Sequence, residues 1–160
     1  MSSDLLPLRV DPFKLVKSSA VLEGRLQMGR FRRFCAELTG DEGQLFVQLQ
    51  AGRDEQGVAC LAGRLTGEVG LICQRCLEPM RHPIDVPFRL ALLQSEASIE
   101  RLPDSYDPLV LPAEAGAVEW PVLLEDELLL SLPIIPRHPW AECSAPGEYF
   151  AAADRTDPAQ

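Results

Sequence analysis

The side chains with the widest chemistry in this sequence are its five cysteines and two histidines. Cys73 and Cys76 stand three positions apart in GLICQRCLEPM (70–80), and His138 and Cys143 lie in RHPWAEC (137–143). Two thiolates at this spacing can converge on one ion across a tight turn, and a tetrahedral zinc site needs two further ligands. His138 and Cys143 can supply them, making a Cys3His set of Cys73, Cys76, His138 and Cys143 with Zn2+ as the implied cofactor. The 61 residues between the pairs are no obstacle, because ligands need only meet in space. Other readings stay open. A thioredoxin-type dithiol opens a helix, whereas Cys73 reads as the end of a strand. An iron–sulfur cluster takes four cysteines at shorter spacing. Cys73 can equally be a core residue and Cys76 a turn residue, with no ion at all. Cys35 and Cys60 fall on apolar patterns and read as small buried hydrophobes. An odd number of cysteines cannot all pair, and with no secretory signal reduced thiols are the default.

Enzyme signatures are missing from the sequence: it contains no glycine-rich phosphate loop, HExxH or nucleophile elbow. Glu125, Asp126 and Glu127 could form a carboxylate site. At helical spacing, however, they point apart, and acids early in a helix complement its dipole. His82, beside Pro83, has no evident partner. The expectation is a protein without catalytic residues or a small-molecule substrate.

Charge sharpens this. The net charge is −9, yet residues 1–93 sum to +1 (12 Lys/Arg, 11 Asp/Glu) and residues 94–160 to −10 (3 Arg, 13 Asp/Glu). Such a chain as a whole repels a phosphate backbone, so direct RNA contact would use the N-terminal half, where Arg30, Arg32 and Arg33 share one face. The acidic half, including Glu125, Asp126 and Glu127, suits a basic protein partner. Both charged sets also read as solvated surface. No stretch reaches the ~20 apolar residues of a membrane span, because LLLSLPII (128–135) is interrupted by Ser131 and Pro133. Met1-Ser2-Ser3-Asp4 opens no signal peptide. The sequence reads as soluble and intracellular.

The elements that would position these residues follow from periodicity. LLPLRV (5–10) reads as an edge strand ending at Asp11-Pro12, and AVLEGRL (20–26) as a strand. Met28, Phe31, Phe34/Cys35 and Leu38 predict an amphipathic helix stopped by Gly40. Period two then governs Leu45–Leu49, VACLAGRL (58–65), Leu65–Cys73 and Ile84–Leu92, a meander of short connections whose last strand, containing Pro87, should lie at an edge. Residues 95–117 read as an acidic loop with one extended piece at 107–111. EWPVLLEDELLLSLP (119–133) predicts a helix with Pro121 in its first turn, apolar nearly all round in its second half and hence buried. The fold class expected is α+β: an antiparallel meander with an N-terminal amphipathic helix and a buried C-terminal helix, in one domain over 1–145 with a polar tail at 146–160.

Read together, GEVGLICQRCLEPM (67–80) and EDELLLSLPIIPRHPWAEC (125–143) resemble the YceD family of large ribosomal RNA subunit accumulation proteins. RLPDSYDPLVL (101–111) and PLRVDPFKL (7–15) extend the likeness over roughly 5–145. The resemblance implies a cytoplasmic role in accumulation or processing of 23S rRNA and biogenesis of the large ribosomal subunit, with a ribosomal or processing protein as partner and no catalytic activity. Some family members carry further cysteines where this chain has His138 and Cys143, which supports a metal site there. The ending AAADRTDPAQ departs from the apolar, basic tail of close relatives. Two alternatives stand beside this: a zinc-stabilised interaction module unrelated to ribosomes, and a CxxC thiol oxidoreductase.

Overall fold

The computed structural model describes residues 5–144; the expected tail at 146–160 lies outside them. Seven strands and three α-helices follow in the order β1 (Arg9–Val10), α1 (Pro12–Lys17), β2 (Val21–Gln27), α2 (Arg32–Ala36), β3 (Gln44–Arg53), β4 (Ala59–Ile72), β5 (Pro79–Leu93), β6 (Asp107–Val110), β7 (Val118–Glu119) and α3 (Trp120–Ser131). The main sheet has the order β2-β3-β4-β5-β6, and β1 pairs with β7 in a separate two-stranded ladder. The architecture is the expected α+β one, with β2 to β5 as an antiparallel meander. It differs in one pairing: β6 joins β5 in parallel, Leu90↔Asp107 to Leu93↔Val110.

Alternation along the strands explains the burial. Leu45, Val47 and Leu49 face inward, as do Leu61, Leu65, Val69 and Leu71 and, across the hairpin, Met80, Ile84, Val86, Phe88 and Leu90. They meet Val16 of α1, Phe34 of α2 and Leu123, Leu124 and Leu128 of α3 in one apolar cluster. Gln48, Gln50, Arg64 and Asp85 lie on the opposite, solvated face, as a one-sided antiparallel sheet requires.

Several expectations are revised. The segments 58–65 and 65–73 are one strand of 14 residues. Gly63 lets it pass close to its neighbour, since a Cβ there would lie 1.9 Å from the Gln48 carbonyl oxygen and 2.9 Å from the Phe88 ring. Pro79, Pro83 and Pro87 all sit at one parity of β5, so their missing N–H groups fall on the same side and the ladder to β4 survives. β5 is therefore an edge over its first part and interior only where β6 covers it. The helix expected over 28–38 divides into a 3₁₀ turn at Met28–Arg30 and the five-residue α2. The apolar spacing still holds, with Met28, Phe31 and Phe34 all essentially inaccessible. The division occurs because Phe31 leaves helical geometry (φ −86°, ψ 75°) and Glu125 supplies the acceptor for the new N-terminus. Residues 12–17 form α1, which the sequence reading did not find: Asp11 accepts from the Lys14 amide at 3.1 Å and Pro12 occupies the first turn, a strong start signal. The loop 95–117 contains a 3₁₀ turn at Glu96–Arg101 as well as β6. In α3 the second half is not buried all round, because Leu124 and Leu128 are fully covered while Leu130 is 82% exposed. The helix packs on one side only.

Candidate metal centre

β4 and β5 run beyond the rest of the sheet, for β3 stops pairing with β4 at Thr66 while β5 follows it to Ile72. Cys73 and Cys76 sit in the turn at the end of this arm. The turn is fixed by two backbone bonds, Cys73 N–H to the Glu78 carbonyl (2.9 Å) and Leu77 N–H to the Cys73 carbonyl (2.8 Å). Leu77 takes a left-handed conformation (φ 62°) to close it, which costs a non-glycine residue about 1–2 kcal/mol. The arm is braced at Gly70, whose carbonyl accepts from the Thr39 amide at 3.0 Å. A Cβ on Gly70 would meet the Thr39 hydroxyl at 2.2 Å.

After α3, Pro133 ends the helix and the chain returns along the arm. The Gln74 amide donates to the Pro136 carbonyl at 2.8 Å. This return brings the two halves of the ligand set together: Cys73, Cys76, His138 and Cys143 present ligand atoms all within 4.8 Å of one another. Cys73 Sγ and Cys143 Sγ are 4.0 Å apart, and Cys76 Sγ and His138 Nδ1 are 3.3 Å apart. A zinc ion bound to sulfur at about 2.3 Å and to nitrogen at about 2.0 Å sets ligand separations of about 3.5–3.8 Å on a tetrahedron. The cluster is compatible with zinc binding.

The atoms around the ligands favour this chemistry. His138 Nε2 lies 3.2 Å from the Pro79 carbonyl, which can only accept. Nε2 thus carries the proton and Nδ1 keeps its lone pair facing the thiols. Cys73 is fully buried and accepts from the His138 amide at 3.3 Å. Burial opposes ionisation of its thiol, but the amides of Cys76, His138 and Arg75 and the Cys76 thiol outweigh it and hold the group at about 5. Hydrogen bonding to Cys73 raises His138 above its ordinary value, against partial desolvation and with help from Cys143.

Arg75, between the two cysteines, was not singled out by sequence. Its Nε approaches Cys143 Sγ at 3.2 Å and its Nη2 donates to the His138 carbonyl at 2.6 Å. The guanidinium lies over the Trp140 ring, 3.7 Å from the centroid. The only signal available was a cation within CxxC and an aromatic within HPWAEC.

The other candidates fall elsewhere. Arg30 and Arg32 are exposed. Arg33 meets Glu125 (Nε–Oε2, 3.0 Å) and Asp126 (Nη2–Oδ1, 2.7 Å). Glu125 is buried and accepts from the Arg33 and Phe34 amides at 2.8 and 3.2 Å, so a side chain of α3 caps α2. Glu127 is half-buried, with its carboxyl raised by burial and by Asp107 and Asp126. Cys35 is half-buried and its thiol donates to the Met28 carbonyl at 3.1 Å; Cys60 is also only half-buried. His82 is partly buried on the inner parity of β5, opposite Val69, and burial lowers its basicity. A further cluster went unread in the sequence: Tyr106 donates to Asp54 at 2.5 Å and accepts from Arg89 at 2.9 Å. It pins the 103–106 loop to the β3–β4 turn.

Among the described residues no helix is long and apolar enough to cross a membrane. The profile of the family described as "Large ribosomal RNA subunit accumulation protein YceD" matches residues 61–158, more than half of the chain. A Haemophilus influenzae protein of the same description is 28% identical over 138 residues, which cover 86% of this chain and 79% of that protein. No solved structure gives a significant match.

Proposed function

The chain belongs to the YceD family of large ribosomal RNA subunit accumulation proteins, and from that premise we propose that it is a non-enzymatic cytoplasmic factor for accumulation and processing of 23S rRNA during assembly of the large ribosomal subunit. The observation that carries this reading is the similarity to the Haemophilus influenzae protein along most of both chains. The family description names an outcome for an RNA rather than a reaction.

The surface supports a division of labour. Glu96, Glu100, Asp104, Asp107, Glu114 and Glu119 are all exposed and suit a basic ribosomal or processing protein. Arg30 and Arg32 are exposed at the start of α2 and are the residues for direct rRNA contact. Arg33, Glu125 and Asp126 contribute through their mutual pairing, which sets the orientation of that arginine face. Depletion in the source bacterium, followed by the ratio of 23S to 16S rRNA, tests the reading. A fall in the ratio is expected. An unchanged ratio would remove it in favour of an interaction module with no ribosomal link.

A further inference from the structure

We propose that Cys73 Sγ, Cys76 Sγ, His138 Nδ1 and Cys143 Sγ hold one structural Zn2+, and that Arg75 is the positioning residue that balances its charge and ties the two ligand pairs together. This inference is independent of the rRNA reading, and either can fail alone.

The donor set selects the ion. Three thiols and one imidazole are soft to borderline ligands, suited to zinc and unsuited to magnesium or calcium. Ligand atoms within 4.8 Å of one another surround a single ion and leave no room for a polynuclear iron–sulfur cluster between them. All four positions of a tetrahedron are filled by protein, which marks a structural rather than a catalytic zinc. Neither cysteine of the CxxC pair begins a helix, since both lie in the turn between β4 and β5. A cleft of about 490 Å³ lined by Thr39, Gly70, Met80, Arg81, His138 and Glu142 opens beside His138.

The surroundings assign Arg75 its role. Binding displaces the thiol protons, and Zn2+ with three thiolates and a neutral imidazole carries one net negative charge. The Arg75 guanidinium, 3.2 Å from Cys143 Sγ, neutralises it. The same side chain holds the His138 carbonyl and stacks on Trp140, so one residue of the CxxC turn grips both ends of the His138–Cys143 segment. Pro79 orients the imidazole through Nε2, the outer-shell contact that metal-bound histidines require. The ion then acts as the clip that fixes residues 134–143 against the end of the β4–β5 arm.

The test uses the full chain, purified reduced. Elemental mass spectrometry is expected to find one zinc per chain. Replacement by Co2+ is expected to give the intense visible absorption of a tetrahedral, thiolate-rich site. Cys143→Ser should lose the metal or weaken it by several orders of magnitude, whereas His138→Cys should keep it and shift the cobalt spectrum. Arg75→Gln should weaken zinc about 10-fold or more, the range for outer-shell contacts, and displace the thiolate-to-cobalt charge-transfer band; Arg75→Lys should recover part of both. Protein that carries no zinc and takes up neither Zn2+ nor Co2+ when reduced overturns the site. Full zinc affinity in Cys143→Ser overturns the ligand set. An Arg75→Gln variant with unchanged affinity and spectrum overturns the role of Arg75.

Discussion

Two groups of polar side chains cross between distant parts of the chain, and they are built on opposite plans. At the Arg33–Glu125–Asp126 junction each group meets its complement: carboxylates accept from a guanidinium and from the two amides that open α2. At the end of the β4–β5 arm, three thiols and an imidazole converge on one another, and among them the hydrogen donors are few and weak. The first group is complete with protein atoms alone. The second, under the zinc proposal, is completed by a cation at its centre. Both are assembled by residues that sequence analysis named, so the identity of the side chains did not separate them. What separates them is whether the neighbours that the fold supplies match in charge and hydrogen bonding.

The strongest way to break this contrast is to remove the ion. With a chelator, the arm is expected to lose hydrogen-exchange protection over 72–80 and 134–143, while the Arg33–Glu125 junction keeps its own. The apparent Tm should fall by about 10 °C, or roughly 3 kcal/mol for a chain of this size. An unchanged melting curve would make the two groups alike. Next comes the junction. Glu125→Ala strands the Arg33 and Phe34 amides without an acceptor, and denaturant unfolding should show a loss of about 2–4 kcal/mol that chelation does not alter. Glu127→Gln is a smaller and pH-dependent probe. Burial, then Asp107 and Asp126, raise the Glu127 carboxyl, so the fold prefers it protonated. That favourable state is full below the ordinary glutamate value and is lost as pH rises through the folded one. The variant should therefore gain up to about 1 kcal/mol at neutral pH, after solvent screening, and nothing in acid. The smallest effect is expected from Leu77→Gly. Relief of the left-handed turn, offset by glycine's greater chain entropy, should leave a gain below about 1 kcal/mol, read as a slightly higher Tm of the metal-loaded protein.

Legibility followed the range of the interaction. The sheet was readable because period-two alternation at Leu45–Leu49 and Ile84–Leu92 is a local property, and a buried face needs nothing else to specify it. The helix ending at Ser131 was readable for the same reason, from Pro121 and Pro133 at its ends. The α1 helix was also written locally, in Asp11-Pro12, although the apolar LLPLRV before it reads as a strand ending there. The break at Phe31 could not be read from its own neighbourhood, because the carboxylate that caps α2 comes from α3. Nor could the exposure of Leu130, which depends on how much of α3 the sheet covers.

For the candidate site the division is the same. By itself, the sequence determined which atoms were available: a thiol pair at turn spacing, a histidine and a fifth cysteine beyond a proline-ended helix, and an excess of acid in the second half. Those are properties of residue type and spacing. The tertiary structure alone decided that the two pairs meet, that Pro79 orients the imidazole, that Arg75 is turned onto Cys143 and Trp140, and that Arg33 is committed to Glu125. Each of these is a contact between residues 59 or more positions apart or an orientation set by such a contact. The physical reason is that coordination and charge pairing act over a few ångströms in space, and only the packed chain says which side chains come that close.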